Sequence, residues 1–365
     1  MVKFGFETEE IHEGKARIIV PKTQRGKGPG KKEPFPFYNP VMEVNRDVSI
    51  LVVQKLVVKG GSRILDGLSG TGIRGIRFAL EVEGGLSVLL NDWNENSFEL
   101  MLENIKKNGV TNAEARQEDL NQLLSKRTFD YVDVDPFGTP VQFVDKALKA
   151  VDDGGYLAIT ATDTAALAGS YPGACRRKYG AEPMQTRTRH EIGLRILIGH
   201  CARRAADHGI GIHPLVSHSS DHYYRTYMKV TGGKSDQELG YLLKDPDTLE
   251  TRLDAAKRSD VLSAGPLWIG KIWDPDFLRE LRPRSYMSSK TSKLLDMIKA
   301  ESTIDEPYYS SDEMASRLKV HTPSLASILE SLKANGYSAS LTHFDPKGFR
   351  TDAPLESILS VFQAD

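Results

Sequence analysis

Arg63-Ile64-Leu65-Asp66-Gly67-Leu68-Ser69-Gly70-Thr71-Gly72-Ile73-Arg74-Gly75 reads as a short strand (63–68), a glycine-rich turn and the start of a helix (73–81). Gly70, Gly72 and Gly75 satisfy G-x-G-x-x-G between a strand and a helix, the context that gives this pattern its meaning. Glycines there allow a tight turn and let a ligand come close to the backbone. The next apolar run, Leu86 to Asn91, ends on Asp92, 17 residues after Gly75. An acid at that place suits the two ribose hydroxyls of an adenosine.

Outward from this turn, strand and helix signals alternate as in a parallel sheet with crossover helices. Upstream, 48–58 reads as a helix. Downstream follow helix 95–108 with Gly109 as its C-cap, strand 113–117, strand 129–134, helix 141–151, strand 156–162 and helix 189–208. Runs 210–217 and 224–230 close the series as a pair of strands around a polar tip. A seven-stranded α/β sheet whose last strand returns as a hairpin partner resembles the class I (Rossmann-like) methyltransferases. Residues 231–236 read as a linker. Beyond it, helices 292–300, 311–318 and 322–335 and a small strand at 337–343 give a winged-helix-like α+β outline. The expected division is a catalytic domain over 1–232, with a basic and aromatic N-terminal extension, and a C-terminal nucleic-acid-binding domain over 233–365.

The bulk numbers fit that plan. The 365 residues are 27% charged and 39% hydrophobic, with a net charge of −1, which is ordinary for a soluble protein of two domains. No apolar run reaches the ~20 residues of a membrane span. The first ten residues do not read as a signal peptide. Cys175 and Cys201 alone make neither a disulfide framework nor a metal-ligand spacing, and a reducing, cytoplasmic setting is expected. His213, His218 and His222 flank a strand tip without an acid or thiolate cluster, so no metal is expected. Near-zero net charge excludes a general basic coat but not a local one. Lys22, Arg25, Lys27, Lys31 and Lys32 sit among glycines just before Phe35, Phe37 and Tyr38. That stretch reads either as a solvated loop or as a phosphate-gripping loop beside stacking rings.

Two observations separate this chain from nicotinamide-dependent dehydrogenases. Asp66, where strand meets turn, suits the cationic amino-acid end of S-adenosylmethionine and would repel a pyrophosphate. The strand 129–134 runs into Asp135-Pro136-Phe137-Gly138, for which hydride transfer has no use. Here a carboxylate and the Pro136 carbonyl can accept both hydrogens of an aromatic amine, and Phe137 can stack on its ring, worth roughly 1–3 kcal/mol. Such contacts strengthen as positive charge develops on the nitrogen, so they favour the transition state. The target base must first leave its helix. Glu118 and Asp119 read either as a contact to adenine or as a helix N-cap. Asp, Pro and Gly are also ordinary turn formers, and the glycine loop two strands earlier decides for the functional reading.

Over nearly its whole length the chain resembles the tRNA (guanine-26) N2-dimethyltransferases in their shorter, archaeal-type form. The resemblance rests on ordered blocks: Phe37-Tyr38-Asn39-Pro40 with Asn45-Arg46-Asp47, Asp66 to Gly75, and Asp135 to Gly138. It continues through Thr160-Ala161-Thr162-Asp163, His222-Tyr223-Tyr224-Arg225, Gly265-Pro266-Leu267-Trp268, and His343-Phe344-Asp345 to Thr351-Asp352-Ala353-Pro354. It implies S-adenosylmethionine as cofactor, tRNA as partner, and mono- then dimethylation of guanine N2, with no obligate protein partner. It further implies Arg46, Arg74, Asp92, Asp119 and Leu120 as cofactor contacts beside Asp66, Gly70 and Gly72, and Asp135 as the catalytic carboxylate with Pro136 and Phe137. Lys27, Lys31, Lys32, Phe37, Arg176, Arg177 and Lys178 are the candidate RNA contacts. Some members carry a four-cysteine zinc site near the C-terminal domain; this chain has no cysteine beyond 201. The alternatives are an amino-methyltransferase for another guanine or adenine, and a winged-helix nucleic-acid-binding regulator with a non-catalytic cofactor domain.

Overall fold

The computed structural model describes residues 4–22, 36–57, 61–220, 222–233 and 238–363. β1 (Thr8–Glu13) and β2 (Ala16–Pro21) pair as an antiparallel hairpin. After a 3-10 turn, α1 (Glu43–Leu56) leads into the alternating series: β3 (Ser62–Asp66), α2 (Ile73–Glu81), β4 (Leu86–Asn91), α3 (Glu95–Asn108), β5 (Ala113–Arg116), α4 (Leu120–Leu124), β6 (Phe129–Val134), α5 (Val141–Ala150) and β7 (Val151–Ala161). Short α6 (Thr164–Leu167) and α7 (Pro172–Tyr179) precede the long α8 (Arg189–Asp207), and β8 (Ile210–Ser220) and β9 (Tyr223–Gly232) follow.

The seven-stranded sheet has the order β5-β4-β3-β6-β7-β9-β8. β3 to β7 are parallel, and β9 runs antiparallel between β7 and β8. The order reverses at β3, whose neighbours are β4 and β6, and ligands of open α/β sheets bind outside the strand carboxyl ends at such a switch. Asp66 is in register with Asp133 of β6, so the strand-end acids converge there. Gly75 lets α2 lie close on β4, since a Cβ at that position would come within 2.5 Å of Leu90 Cγ.

The C-terminal part begins with an antiparallel sheet of β10 (Leu239–Lys244), β11 (Thr251–Asp254) and β12 (Leu262–Trp268). Then come α9 (Pro275–Glu280), α10 (Ser289–Glu301), β13 (Tyr309–Ser310), α11 (Ser311–Leu318), α12 (Leu325–Ala334), β14 (Ala339–Leu341), β15 (Gly348–Thr351) and α13 (Leu355–Gln363). Three helices with a small β13-β15-β14 sheet give the winged-helix outline. Its own core gathers Ile328, Leu332, Phe349, Ile358 and Phe362. By contrast, Leu242, Ala264, Leu267 and Trp268 are buried in one continuous core with Leu194, Ile198 and Cys201 of α8. The first C-terminal sheet therefore packs on a helix of the seven-stranded sheet's own layer.

Several sequence boundaries need correction. α1 starts at Glu43, not 48, because Asn45, Arg46 and Asp47 are buried in ion pairs and hydrogen bonds rather than solvated. β7 starts at Val151 and takes in Gly154 and Gly155, with a shift in its pairing to β6. The 231–236 linker is strand β9 as far as Gly232. Between strand 156–162 and helix 189–208, where the sequence pattern gives no element, the chain forms α6 and α7.

Candidate active site

The glycine turn is held from two sides. The Asp92 carboxylate accepts hydrogen bonds from the backbone N–H of Gly70 (2.9 Å) and of Asn94 (2.9 Å). Burial pushes its pKa upward. Gly70 has a φ of +53°, and a Cβ there would lie 3.2 Å from the Phe37 carbonyl oxygen. Gly72 caps the N-terminus of α2. Phe37, expected as an RNA contact, thus lies directly over the expected cofactor loop.

Asp66 is buried behind this turn and accepts the Gly75 N–H at 3.0 Å. Burial pushes its carboxyl up to about 7, against the pull of Arg74. Leu120 is buried beside Gly67. Asp119 caps α4 by accepting the Gln122 N–H at 3.0 Å, so the N-cap reading describes its geometry, and its second oxygen stays available to a ligand. Glu118 pairs instead with Lys126. Trp93, directly after Asp92, is 64% exposed and was not singled out by the sequence. Its position after the strand-end acid was the available signal.

Arg46 and Arg74, which the resemblance placed together, occupy different surroundings. Arg46 is buried and gives its guanidinium to Glu13 and to the Asn39 carbonyl. Glu13 also receives Arg77 at 2.8 Å and the Tyr38 hydroxyl at 3.1 Å. Arg74 donates to Asn45 and Ser49, both at 2.7 Å, and pairs with Asp135. It also stands 3.6 Å from Asp133. Asp133, fully buried, takes Arg225 on both oxygens (2.9 and 2.6 Å) and the Tyr131 hydroxyl at 2.6 Å. Burial opposes its charge, yet Arg225 and Arg74 hold its carboxyl below the usual range. The sequence reading missed Asp133, although period two puts it on the same strand face as Asp135.

Asp135 has a side chain 17% exposed, at the mouth of this network. Pro136 behind it is buried, while Phe137 is 54% exposed. The Phe137 ring meets Phe37 edge to face, centroids 5.0 Å apart. Gly138 turns the chain at φ +82° and is tied to the end of β7, its N–H donating to Thr162 Oγ1 at 2.6 Å. A partly exposed carboxylate with two aromatic rings beside it, fixed at both ends, can hold a flat aromatic amine.

Of the other expected RNA contacts, Lys27, Lys31 and Lys32 lie outside the described residues. Arg176, Arg177 and Lys178 lie on α7. Arg176 pairs with Glu182 and Lys178 with Asp163, whereas Arg177 is exposed and makes no ion pair with any described residue. Among the described residues no group of three or more His, Cys, Asp or Glu side chains is placed to hold a metal ion, and no helix is long and apolar enough to cross a membrane.

The strand order with antiparallel β9 inside it, the glycine turn and the acids at its carboxyl edge define a class I methyltransferase. The comparisons carry this further. The family model described as "N2,N2-dimethylguanosine tRNA methyltransferase" matches residues 14–363. The tRNA (guanine(26)-N(2))-dimethyltransferase of Thermococcus kodakarensis is 38% identical across 98% of this chain and 99% of that protein. That of Methanocaldococcus jannaschii is 38% identical across 88% and 91%. The solved structure of Trm1 from Pyrococcus horikoshii with S-adenosyl-L-methionine superposes with a TM-score of 0.87, at 35% identity, covering 97% of this chain and 99% of that one. The chain belongs to the N2,N2-dimethylguanosine tRNA methyltransferase family.

Proposed function

We propose that this protein transfers methyl groups from S-adenosylmethionine to the exocyclic N2 of guanine 26 in tRNA, first one and then a second. The observation that carries the chemistry is Asp135, anchored by Arg74 and open to the mouth beside Phe37 and Phe137. The choice of guanine 26 is supported by family membership.

The residues present fit the cofactor. Asp66 and Asp92 offer carboxyls to its ammonium and ribose ends, Gly70 and Gly72 offer an open backbone, and Leu120 an apolar wall. In this reading Trp93 and the second oxygen of Asp119 meet the adenine. Arg74 contributes by fixing Asp135, and Arg46 by fixing Tyr38 and Glu13 behind the turn. The bound cofactor supplies an electrophilic methyl on a sulfonium. The Asp135 carboxylate accepts one N2 hydrogen and the Pro136 carbonyl the other, which favours the more tetrahedral nitrogen that attack requires. As the nitrogen gains the methyl it sheds a proton, and Asp135 is the base beside it. One N–H remains after the first transfer, so Asp135 can hold the monomethylated base for the second. Phe37 and Phe137 stack on the flipped guanine.

In this reading residues 1–232 carry the chemistry, and 233–365, with its winged-helix outline, grips the tRNA together with Arg177 and the 22–32 basic stretch. With tRNA as substrate the protein works in the cytoplasm. The test is incubation with labelled S-adenosylmethionine and an unmodified tRNA transcript, followed by nucleoside mass spectrometry. N2-methylguanosine then N2,N2-dimethylguanosine are expected, and none from a transcript carrying adenine at 26. Label in another nucleoside would refute the reading.

A further inference from the structure

β9 sends Tyr223, Arg225 and Tyr227 to one face of the sheet, by the two-residue alternation of a strand. The lower two are engaged. Tyr227 binds Ser49 and the Asn45 carbonyl, and Arg225 binds Asp133. Tyr223 stands one step further toward the carboxyl edge, just beyond the Ala161–Tyr224 pairing and opposite Ser220. Its ring is 2% exposed, and its hydroxyl is buried with no partner in full hydrogen-bonding geometry, although the Ser220 side chain opposite it is close enough to act on it. His218, whose two ring nitrogens are also buried and unpaired, meets that ring edge to face at 5.6 Å. An unpaired hydroxyl inside a protein is a net cost to folding that phenylalanine would avoid.

This cost falls beside the proposed base slot. Asp135 is separated from β9 by a single strand, β7, and its charge acts on Tyr223. Burial above all, then Tyr227 and to a smaller extent Asp135, raises the Tyr223 pKa against the pull of Ser220 and Arg225, so the hydroxyl keeps its proton. On the Watson–Crick edge of guanine, O6 and N2 flank N1, and O6 is an acceptor. A base held at N2 by Asp135 therefore needs a donor at the other end of the same edge.

We propose that Tyr223 donates its hydroxyl hydrogen to O6 of the target guanine and so orients N2 toward Asp135. The inference rests on the function proposed above and assigns a specificity-determining residue to it.

The experiment compares wild type and Tyr223→Phe on tRNA carrying either guanine or 2-aminopurine at position 26. 2-Aminopurine keeps the amine and lacks O6. Wild type is expected to lose about 10- to 100-fold in kcat/KM on the 2-aminopurine substrate. Tyr223→Phe is expected to lose a similar factor on guanine and to treat the two bases alike. Its cofactor affinity should be unchanged, and its Tm equal or higher because the unpaired hydroxyl is gone. A Tyr223→Phe protein that still discriminates as wild type does overturns the proposal and leaves Tyr223 a structural residue. A wild type inactive on guanine 26 sinks the underlying function and this inference with it.

Discussion

Two of the buried ion networks among the described residues differ in completeness. At the junction of α8 with the C-terminal part, Arg350 reaches Glu191 (2.7 Å), Glu301 (2.9 Å) and the Glu306 carbonyl. Glu191 also holds Arg195 at 2.9 Å. Glu301 also takes the Thr342 hydroxyl (2.6 Å), the His343 N–H (3.0 Å) and the His343 ring, while His343 Nε2 accepts the Ser219 N–H at 3.1 Å. Every polar atom of Arg350, Glu191, Glu301 and His343 side chains has a partner. Burial works against the Glu301 charge, but His343 and Arg350 bring its carboxyl down to about 2. At the catalytic edge, by contrast, the Arg225 Nε, the Asn45 Nδ2 and the Tyr223 hydroxyl are buried without partners, and Asp135 opens to solvent. A closed network holds parts together. An open one has capacity left for a substrate.

The comparison can be broken most sharply at Asp135. Asp135→Ala should lower methyl transfer by about 10³-fold, in the range of losing a positioned charge in an active site. Cofactor affinity by calorimetry should stay within a few-fold, and near-normal turnover would remove Asp135 from the chemistry. At the closed network, Arg350→Met strands two buried carboxylates on one side and should cost about 3–5 kcal/mol of stability in denaturant unfolding. Turnover per folded molecule should be kept, and a loss of turnover without a loss of stability would contradict the division.

A third test uses pH. Below about 7 the Asp66 carboxyl is protonated and presents no charge to the cofactor's ammonium; above it, the carboxylate forms. Cofactor affinity should therefore rise about tenfold between pH 5.5 and 7, below the titration of an α-amine. Asp66→Asn should flatten the profile; an unchanged slope would point to another group. The smallest effect concerns α7. Arg177→Gln should reduce the salt dependence of tRNA binding by about one counterion. Arg176→Gln should change it less, because Glu182 already neutralises that guanidinium. Equal slopes for the two variants would take α7 out of the RNA surface.

Much of this was legible in the sequence, for local reasons. Helix Ile73–Glu81, helix Glu95–Asn108 with its Gly109 cap and strand Phe129–Val134 announce themselves by periodicity and punctuation. So did the Asp66 to Gly75 turn and the Asp135 to Gly138 loop. The hairpin Thr8–Pro21 and the sheet of β10 to β12 did not, because their short strands gain identity only from partners. The network at the site was illegible for the same cause. Arg225 meets Asp133 across 92 residues and Arg46 meets Glu13 across 33, and no window of sequence contains both members of either pair.

Glu13 gives that last distance a practical meaning. It sits on the first hairpin, yet it is the shared counter-charge of Arg46 and Arg77, and Arg77 in turn holds Asp47 at 2.6 Å. Asp47 receives Ser288 and Thr291 at the head of α10. Shortening the protein from its front would thus leave the Arg46 guanidinium without its carboxylate in the interior and take from Arg77 one of its three carboxylates, the others being Asp47 and Glu81. The disturbance would travel through α1 to a helix more than two hundred residues downstream, so for anyone trimming or tagging this chain the opening hairpin is part of the chassis.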